Sequence, residues 1–501
     1  MLKRSALILM ILSQTFGLAF AEDGLPKDTL RLSLLDAAKR IVTHSPAAKI
    51  DQITLKNAEL NQRLAGLNLY SPFANARFSL PSFQQVQTEE FVYNSDQNQT
   101  VLEWVKSENR LWQGVVDVTQ PLPSGGKVRL ESLLYRRNYR SDVTNGGKND
   151  LEYRSTWRLS ISQEVLRKSP DRVARENAEL DYEKATHTYD QAQRDRLMQL
   201  VEAYFNLIAQ QQELSINRDD LDAVHSALAL AKRKYDSGLI PEAEVLLLEV
   251  ESAQSEIDQS AAEAEYESNC DRFRDLLNLS PDQPFALTTE PEFHPVEVVL
   301  DSAIQRALLQ REEAKSARIS VLQSEMTIKD AKRNGSLSGE LSAFYDLEQQ
   351  GSALDRALTS DVNDYNVNRG IAFTVSVPLF GGGRRGIELQ KARLALKTSE
   401  VQREQTRRQI VLDVRESLRA MNEARSRYEL SLRSLRIAER SAEITRRRFE
   451  SGQVTSRELI EAQITLKRSR LGTLRALVAH EVTVARMRRA SGDDPLGRGV
   501  E

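Results

Sequence analysis

The sequence predicts a mainly α-helical fold in which two copies of a long antiparallel helical hairpin are combined with β-strands. Three observations predict it: an internal duplication, very long proline-free stretches with apolar residues at steps of three and four, and segments in which apolar and polar residues alternate. The composition agrees, because 14 Pro, 22 Gly and 6% aromatic residues among 501 are low for a β-rich protein or a compact α/β enzyme.

The duplication is the most informative feature. Lys234–Ile240 returns as Arg448–Val454, and Gly452 follows Gly238 by 214 positions (452 − 238). The same offset aligns about a hundred residues around each of these segments without a gap. A large duplication in one chain predicts two structural repeats, about 28–290 and 291–495.

The first repeat is longer than the second. Leu34–Ala48 resembles Val299–Glu313 at an offset near 266, so the first repeat holds about 52 additional residues (266 − 214). Alternating residues on both sides of a turn at Ser124–Gly126 predict an extra β-hairpin near 111–141. Together the repeats predict one elongated domain over residues 22–501.

The long helices follow from periodicity. Between Arg384 and Phe449 the apolar or small residues recur about every 3.5 positions, which is the spacing of a coiled-coil seam. No proline occurs from 379 to 494, and after Gly452 a second helix is predicted to about Ala490. The first repeat predicts helices near 172–236 and 241–278, separated at Gly238.

The strands follow from alternation. Apolar and polar residues alternate in Tyr153–Ser162, in Leu337–Ala343 and in Ile371–Val377. This pattern is typical of a half-buried sheet or of an outer-membrane barrel. All three tryptophans lie in the strand-rich part of the first repeat, as an interfacial aromatic girdle requires. The polar segments 84–100 and 346–369 are predicted to be long exposed loops.

The N-terminus predicts a secreted protein. Residues 1–21 combine Lys3 and Arg4, a short apolar stretch and an Ala-Phe-Ala sequence, which is the layout of a signal peptide. No later window has 18 uninterrupted apolar residues, so no transmembrane helix is predicted. A chain of this kind enters a membrane only as a closed β-barrel.

The remaining composition argues against chemistry. With 69 basic and 72 acidic residues there is no basic surface for nucleic acid, and a single cysteine with five scattered histidines predicts no metal site. The glycine-rich segment Phe380–Gly386 lacks the Gly-Lys-Ser/Thr of a phosphate loop. No nucleophile has a local catalytic signature, so we expect no cofactor and no enzymatic activity.

Three segments resemble the TolC-like outer-membrane efflux and secretion duct family. Val377–Arg385 is similar to its strand-to-helix signature, Arg447–Glu461 to the tip between its second pair of long helices, and Leu34–Pro46 to its short N-terminal helix. The resemblance implies a homotrimer with one shared β-barrel among outer-membrane lipids and one α-barrel tunnel in the periplasm. It also implies a passive exit duct of the Gram-negative outer membrane, opened by a periplasmic adaptor and an inner-membrane pump.

The sequence departs from the family in two places. Glu164–Ser169 stands where the second repeat has Pro378–Gly383, so the first strand-to-helix joint lacks the glycines. The family norm is four strands per chain and twelve per trimer, and the extra hairpin either joins the barrel or folds beside it. Two rival functions are a secreted periplasmic coiled-coil scaffold or adaptor without a pore, and a periplasmic enzyme.

The resemblance implies functional residues at the two helix-hairpin tips. Tyr235 and Phe449, each three residues before a glycine, match the tip aromatic of the family. Gly238 and Gly452 let the chain reverse. At these four positions we expect contact with the adaptor, although a glycine that only ends a helix explains the same residue.

Three carboxylates match the family's entrance gate: Glu244, Glu458 and Glu461. Glu458 and Glu461 lie at i and i+3 on one helix face, so three chains place six carboxylates around a narrow opening. Glu458 also completes a Thr455-x-x-Glu capping box, which leaves gating and capping open for this residue. Position 247, the counterpart of 461, is leucine, so only one ring of this second kind is expected.

Overall fold

The structure is a computed structural model and describes residues 29–94, 99–141, 149–166, 169–289, 291–333, 337–359, 365–380 and 382–497. The predicted signal peptide lies outside these residues. The chain divides into two compact units. We call them the hairpin unit (1–46, 196–296 and 421–485) and the sheet unit (47–195, 297–420 and 486–501).

Nine helices and eight strands occur in the described residues. The helices are α1 (Leu34–His44), α2 (Pro46–Tyr70), α3 (Pro170–Asp236), α4 (Glu242–Leu276), α5 (Leu300–Gln310), α6 (Glu312–Arg333), α7 (Leu354–Thr359), α8 (Arg384–Glu450) and α9 (Ser456–Ser491). The strands are β1 (Leu30–Leu32), β2 (Phe73–Asn94), β3 (Gln99–Pro121), β4 (Lys127–Ser141), β5 (Asn149–Glu164), β6 (Phe285–Leu287), β7 (Ser338–Gly351) and β8 (Asn366–Ser376).

The long helices occupy the stretches that the periodicity predicts. α3 and α8 each have 67 residues, α4 has 35 and α9 has 36. At 1.5 Å per residue, the two helices of 67 residues each extend about 100 Å. Among the described helices, none combines the length and the apolar composition that crossing a bilayer requires.

The hairpin unit has a core beside its small sheet. β1 and β6 pair in parallel, and the Tyr204 hydroxyl donates to the Leu32 carbonyl at 3.0 Å. The Tyr204 hydroxyl oxygen also accepts a hydrogen bond from the Thr289 N–H at 3.0 Å. Tyr204 is fully buried against the ring of Phe273, at 6.2 Å between centroids. Its two hydrogen bonds satisfy a polar atom that burial would otherwise penalise.

The sheet unit contains one six-stranded antiparallel sheet in the order β2-β3-β4-β5-β7-β8. The turn at 122–126 joins β3 to β4, with Gln120 opposite Val128, and both strands belong to this sheet. The predicted hairpin near 111–141 is thus formed by the end of β3 and by β4, and in the single chain both strands, with β2 beyond β3, belong to this one sheet.

The sheet has one apolar and one polar face. The register places all three tryptophans on the same face, with Trp112 opposite Arg136, Trp157 opposite Ser132 and Trp104 opposite Glu89. Other residues of this apolar face are Phe78, Val116, Val118, Leu130, Leu159, Ile161, Tyr345 and Ile371. Most of these large side chains are exposed in the single chain, as a face that meets lipid requires.

Two loop predictions are wrong. Residues 84–94 and 99–100 belong to β2 and β3, and within 346–369 the strands β7 and β8 continue to Gly351 and from Asn366, with α7 between them. Beyond the pair Ser107–Ser141, the outer parts of β2 and β3 pair with each other and with no other strand among the residues that the structure describes. Ladder hydrogen bonds form there whatever the side chains, so polar composition misled the prediction.

The two strand-to-helix joints differ, as the sequence indicates. Before α8, Gly382 and Gly383 adopt φ of 55° and 79°, a region that favours glycine. Before α3 the chain passes through the buried Ser169 to Pro170, and proline is well suited to the first position of a helix. Gly381, Arg167 and Lys168 lie outside the described residues.

Candidate functional site

Both long helix pairs reverse direction through the same backbone motif. At the first tip (234–244) the Gly238 N–H donates to the Tyr235 carbonyl at 2.7 Å and the Leu239 N–H to the Lys234 carbonyl at 2.8 Å. At the second tip (448–461) the Gly452 N–H donates to the Phe449 carbonyl at 3.0 Å and the Gln453 N–H to the Arg448 carbonyl at 2.8 Å. This is the Schellman motif with glycine at its left-handed position.

Gly238 and Gly452 are required because of their positive backbone φ, and not because a larger side chain would collide with neighbouring atoms. Gly238 has φ +73° and Gly452 has φ +75°, and an added Cβ would meet nothing within 4 Å at either position. Gly472, in the interior of α9, also has open space but no positive φ.

Gly452→Ala is therefore expected to destabilise the protein by about 1–2 kcal/mol, the cost of left-handed backbone for an L-residue. Gly472→Ala is the matched control, and it is expected to stabilise by about 0.5–1 kcal/mol because alanine suits a helix interior. Denaturant unfolding followed by helical circular dichroism measures both changes. A shift of the same sign in the two variants would contradict the role assigned to Gly452.

Glu244 connects the first tip to the second. Its carboxylate accepts from the Ser456 N–H at 3.0 Å and from the Ser456 hydroxyl at 2.9 Å. Ser456 is the first residue of α9 and is fully buried. A carboxylate at a helix N-terminus satisfies a free backbone donor and interacts favourably with the helix dipole. In the single chain Glu244 therefore caps the neighbouring hairpin.

Lys234 makes a second contact between the tips. Its ammonium donates a short hydrogen bond to the Phe449 carbonyl and lies 4.4 Å from the centroid of the Phe449 ring. Lys234 is almost fully buried, so the carbonyl and the π-face replace the water that its charge has lost. Sequence reasoning missed this residue, although Arg448 at the equivalent position marks a cation in both repeats.

The two tip aromatics have different surroundings. Phe449 is 2% exposed and belongs to an apolar cluster of the two hairpins, whereas Tyr235 is 43% exposed. The buried members of this tip cluster are Ala227, Ala231, Val245, Leu248, Phe449 and Leu459. Phe449 and Tyr235 are equivalent positions of the two repeats, but the first is buried inside the chain and the second lies on its surface.

Glu458 and Glu461 are exposed on one face of the first turns of α9. The Glu458 N–H donates to the Thr455 hydroxyl at 3.4 Å, so one half of the predicted capping box is present. Within the described part of the chain, neither carboxylate takes part in an ion pair or a side-chain hydrogen bond. Capping by Thr455 leaves the Glu458 carboxylate available for another role.

A charged triad joins three helices of the hairpin unit. The Lys467 ammonium lies 3.1 Å from an Asp220 oxygen and 3.0 Å from an Asp258 oxygen, and its side chain is 15% exposed. Burial lowers the pKa of Lys467, but the hydrogen bond to Asp258 and the charge of Asp220 outweigh it and the net shift is upward. Burial and the Asp220 charge raise the pKa of the neighbouring Glu251.

The sequence carried a signal for this triad. At the 214-residue offset, Asp220, Asp258 and Lys467 correspond to Ser434, Gly472 and Ala253, so all three charges are absent from their repeat equivalents. Three charged residues whose repeat equivalents are all uncharged indicate a contact that forms at one place between hairpins and not at the equivalent place.

The polar face of the sheet carries paired charges. Arg158 holds Asp346 through two hydrogen bonds of 2.7 and 2.8 Å, and Asp117 lies 3.2 Å from Arg77 and 3.4 Å from Arg129. Arg154 pairs with Glu348 at 3.2 Å on the same face. Charges of both signs face each other across the strands, so ion pairs neutralise part of the charge on this polar face.

One group in the described residues has the donor types of a metal site. Ligand atoms of His187, Asp190 and Glu312 lie within 4.8 Å of one another. The Glu312 carboxylate, however, already contacts His187 at 2.6 Å, Arg194 at 3.3 Å and Lys315 at 3.2 Å. Two permanent cations on the central carboxylate oppose a further cation, so we assign this group to structure.

Paired long helical hairpins, together with an antiparallel sheet that is apolar on one face and charged on the other, define the class of tunnel-forming outer-membrane channels. Several solved structures share this fold. CusC matches with TM-score 0.69 and 14% identity over 94% of this chain and 95% of that chain. VceC of Vibrio cholerae gives 0.66 and 16% over 92% and 96%, and the open state of MtrE of Neisseria gonorrhoeae gives 0.64 and 16% over 92% and 89%.

The model of the outer membrane efflux protein family matches residues 133–279 and 303–493, and the chain belongs to this family. A comparison with curated protein sequences gives no match. The predicted resemblance and the predicted fold class are confirmed. The protein is an outer-membrane efflux channel that extends into the periplasm of a Gram-negative envelope, and the scaffold alternative is set aside. Members of the family are channels and not enzymes, which supports the non-enzyme prediction.

Proposed function

We propose that three copies of this chain form a passive exit duct that is closed at its helical tips and opened there by a periplasmic adaptor and an inner-membrane pump. Channels of this family are trimeric and work with such partners. The observation that carries the proposal is the set of contacts between the two helix-hairpin tips of one chain. Buried contacts hold the two hairpins of one chain together, while the carboxylates of Glu458 and Glu461 stay exposed beside them.

The repeat indicates what a joint between subunits would contain. Lys234 and Phe449, which meet inside the chain, correspond to Arg448 and Tyr235. In a ring of six hairpins, Arg448 of one subunit would face Tyr235 of the partner subunit, again a cation against an aromatic ring. The exposure of Tyr235 in the single chain is consistent with this contact.

The same comparison predicts that the joint between subunits is the weaker one. Glu244 and Ser456 correspond to Glu458 and Glu242, so a carboxylate replaces the serine hydroxyl and faces another carboxylate. α4 has no side-chain cap at its N-terminus, so its backbone N–H groups can still attract Glu458. At the boundary between subunits, Glu458 and Glu242 would repel each other, and no equivalent of the Lys467 triad would hold the helices together. An adaptor would therefore separate the tips at this boundary.

The gate proposal is tested by divalent-cation block. Replacing both Glu458 and Glu461 by alanine removes six carboxylates from the trimer, and we expect the block of single-channel current by Mg²⁺ or Ba²⁺ to weaken at least about tenfold, equivalent to ~1.4 kcal/mol of binding. Glu450→Ala is the matched control, because Glu450 is an exposed acid at the same tip whose carboxylate contacts Arg446 at 3.6 Å. Unchanged block in the double variant would remove Glu458 and Glu461 from the gate.

The assembly is tested by mass. Protein extracted in detergent from purified outer membranes should have the mass of three mature chains after the detergent is subtracted. A monomer or dimer would contradict the trimer and with it the ring of carboxylates.

A further inference from the structure

The six-stranded sheet has two edges that the single chain leaves unpaired. In the described strands, β2 bonds only to β3 and β8 bonds only to β7. The apolar face that ends at these edges includes Phe78 on β2, 80% exposed, and Ile371 on β8, 81% exposed. Unpaired backbone groups beside lipid cost several kcal/mol each, so these edges need a partner.

The direction of the strands identifies that partner. Every neighbouring pair in the sheet is antiparallel. With six strands, the two edge strands therefore run in opposite directions. β8 of one copy can pair in antiparallel fashion with β2 of a second copy, and a threefold axis repeats the same joint until the ring closes. Five or seven strands would have forced a parallel joint.

The two edges also match in chemistry. On the apolar face β8 presents Ile371, Phe373 and Val375, and β2 presents Ala74, Ala76 and Phe78. On the opposite face β8 presents Asn368, Ala372 and Thr374, and β2 presents Asn75, Arg77 and Ser79. β2 begins shortly after α2 and β8 ends shortly before α8, so both faces continue across the joint when these ends lie at one level.

We propose that β8 of each subunit pairs with β2 of the next and that three sheets close into one barrel of 18 strands (3 × 6). This inference rests on the trimer of the proposed function. The resemblance stated above implies twelve strands, and because barrel diameter grows almost linearly with strand number, this barrel is about one and a half times as wide. Its wall is lined by the paired charges of the polar face, among them Arg158 with Asp346 and Arg77 with Asp117.

A barrel of this width leaves a water-filled lumen, since 16 to 18 strands already do so in porins. The barrel then admits bulky polar solutes, and selection by size occurs at the helical tips. The ion pairs place both signs on the wall, where each charge is partly offset by its partner on the neighbouring strand.

Disulfide crosslinking tests the joint. In a Cys270→Ser background, Ala372→Cys on β8 is combined in turn with Asn75→Cys, Arg77→Cys and Ser79→Cys on β2. Oxidation of outer membranes should give covalent trimers for at least one of these pairs, and the reactive position reports the register. Each single-cysteine variant is the control and should give no covalent trimer.

A second pair tests the alternative barrel. If β2 and β3 stayed outside, β4 would be the edge strand of a twelve-stranded barrel, and Ala372→Cys would crosslink to Leu133→Cys on β4. That result, or no crosslink with any β2 position in a particle shown by mass to be trimeric, would overturn the 18-stranded barrel and leave the duct intact. A monomeric particle would instead overturn the proposed function.

A measurement on the unmodified protein does not depend on how the variants fold. Electron cryo-microscopy of the protein in lipid nanodiscs should show 18 strands in a section through the bilayer. Twelve strands would contradict the proposal directly.

Discussion

Replacing Lys467 by methionine is expected to cost about 2–3 kcal/mol of stability and, in the closed duct that we propose, to cause leakage. Removing one member of a buried ion pair costs about 3–5 kcal/mol, and the partial exposure of Asp258, 42%, lowers that figure here. Asp220 and Asp258 would face each other and Glu251 without a cation. The measurements are the denaturant midpoint and the uptake of large antibiotics by cells that carry the variant.

Two controls separate this effect from the mere loss of a lysine. Lys232→Met removes a pair with Glu249 whose side chains are 53% and 43% exposed, and such surface pairs contribute at most about 1 kcal/mol. Combining Lys467→Met with Asp220→Asn and Asp258→Asn should recover most of the stability, because no buried charge then lacks a partner. A single variant as stable as the wild type would show that the triad does not hold the hairpins together.

Replacing Arg311 by methionine is expected to destabilise the sheet unit by about 2–4 kcal/mol at neutral pH. The Arg311 side chain is 8% exposed and its guanidinium lies 2.8 Å from Glu313 and 3.0 Å from Asp413, so it joins α6 to α8. Arg408→Met is the matched control, since its pair with Glu404 has exposures of 72% and 53% and should contribute about 0.5 kcal/mol or less.

The effect of Arg311→Met depends on pH in a defined direction. Burial raises the pKa of Glu313, but the hydrogen bond and the charge of Arg311 outweigh it, so the pKa is lowered from the ordinary 4.5. A carboxyl with a depressed pKa stabilises the fold above the ordinary value and loses that contribution as the pH falls through the folded value. The stability difference between wild type and variant should therefore shrink below pH 4.5. A difference that stays constant from pH 7 to pH 3 would rule out this linkage.

The comparison of the repeats bears on how the duct would open. Contacts inside the chain, by Lys234, Glu244 and Lys467, tie the two hairpins into one body. Their equivalents at a boundary between subunits lack the triad and place Glu458 opposite Glu242. In the trimer that we propose, each chain therefore keeps its own tips together and the boundaries separate.

The sequence by itself determined the helices, the tips and the duplication. Their signals are local: apolar residues every 3.5 positions, no proline from 379 to 494, and glycine where a Schellman turn needs positive φ. Such preferences act within a few residues, so one sequence is enough to detect them. The 214-residue offset then related the two hairpins to each other.

Only the tertiary structure decided the extent of the sheet and the partners of the charges. The pairing of residues 84–94 with 99–109 depends on backbone hydrogen bonds between the strands, and a run of polar side chains does not predict these bonds. Glu244 was predicted as a gate residue from its position, and the structure shows that it caps Ser456, which lies 212 residues away in the sequence. Contacts of this kind depend on packing between distant helices, and no local pattern encodes which helices become neighbours.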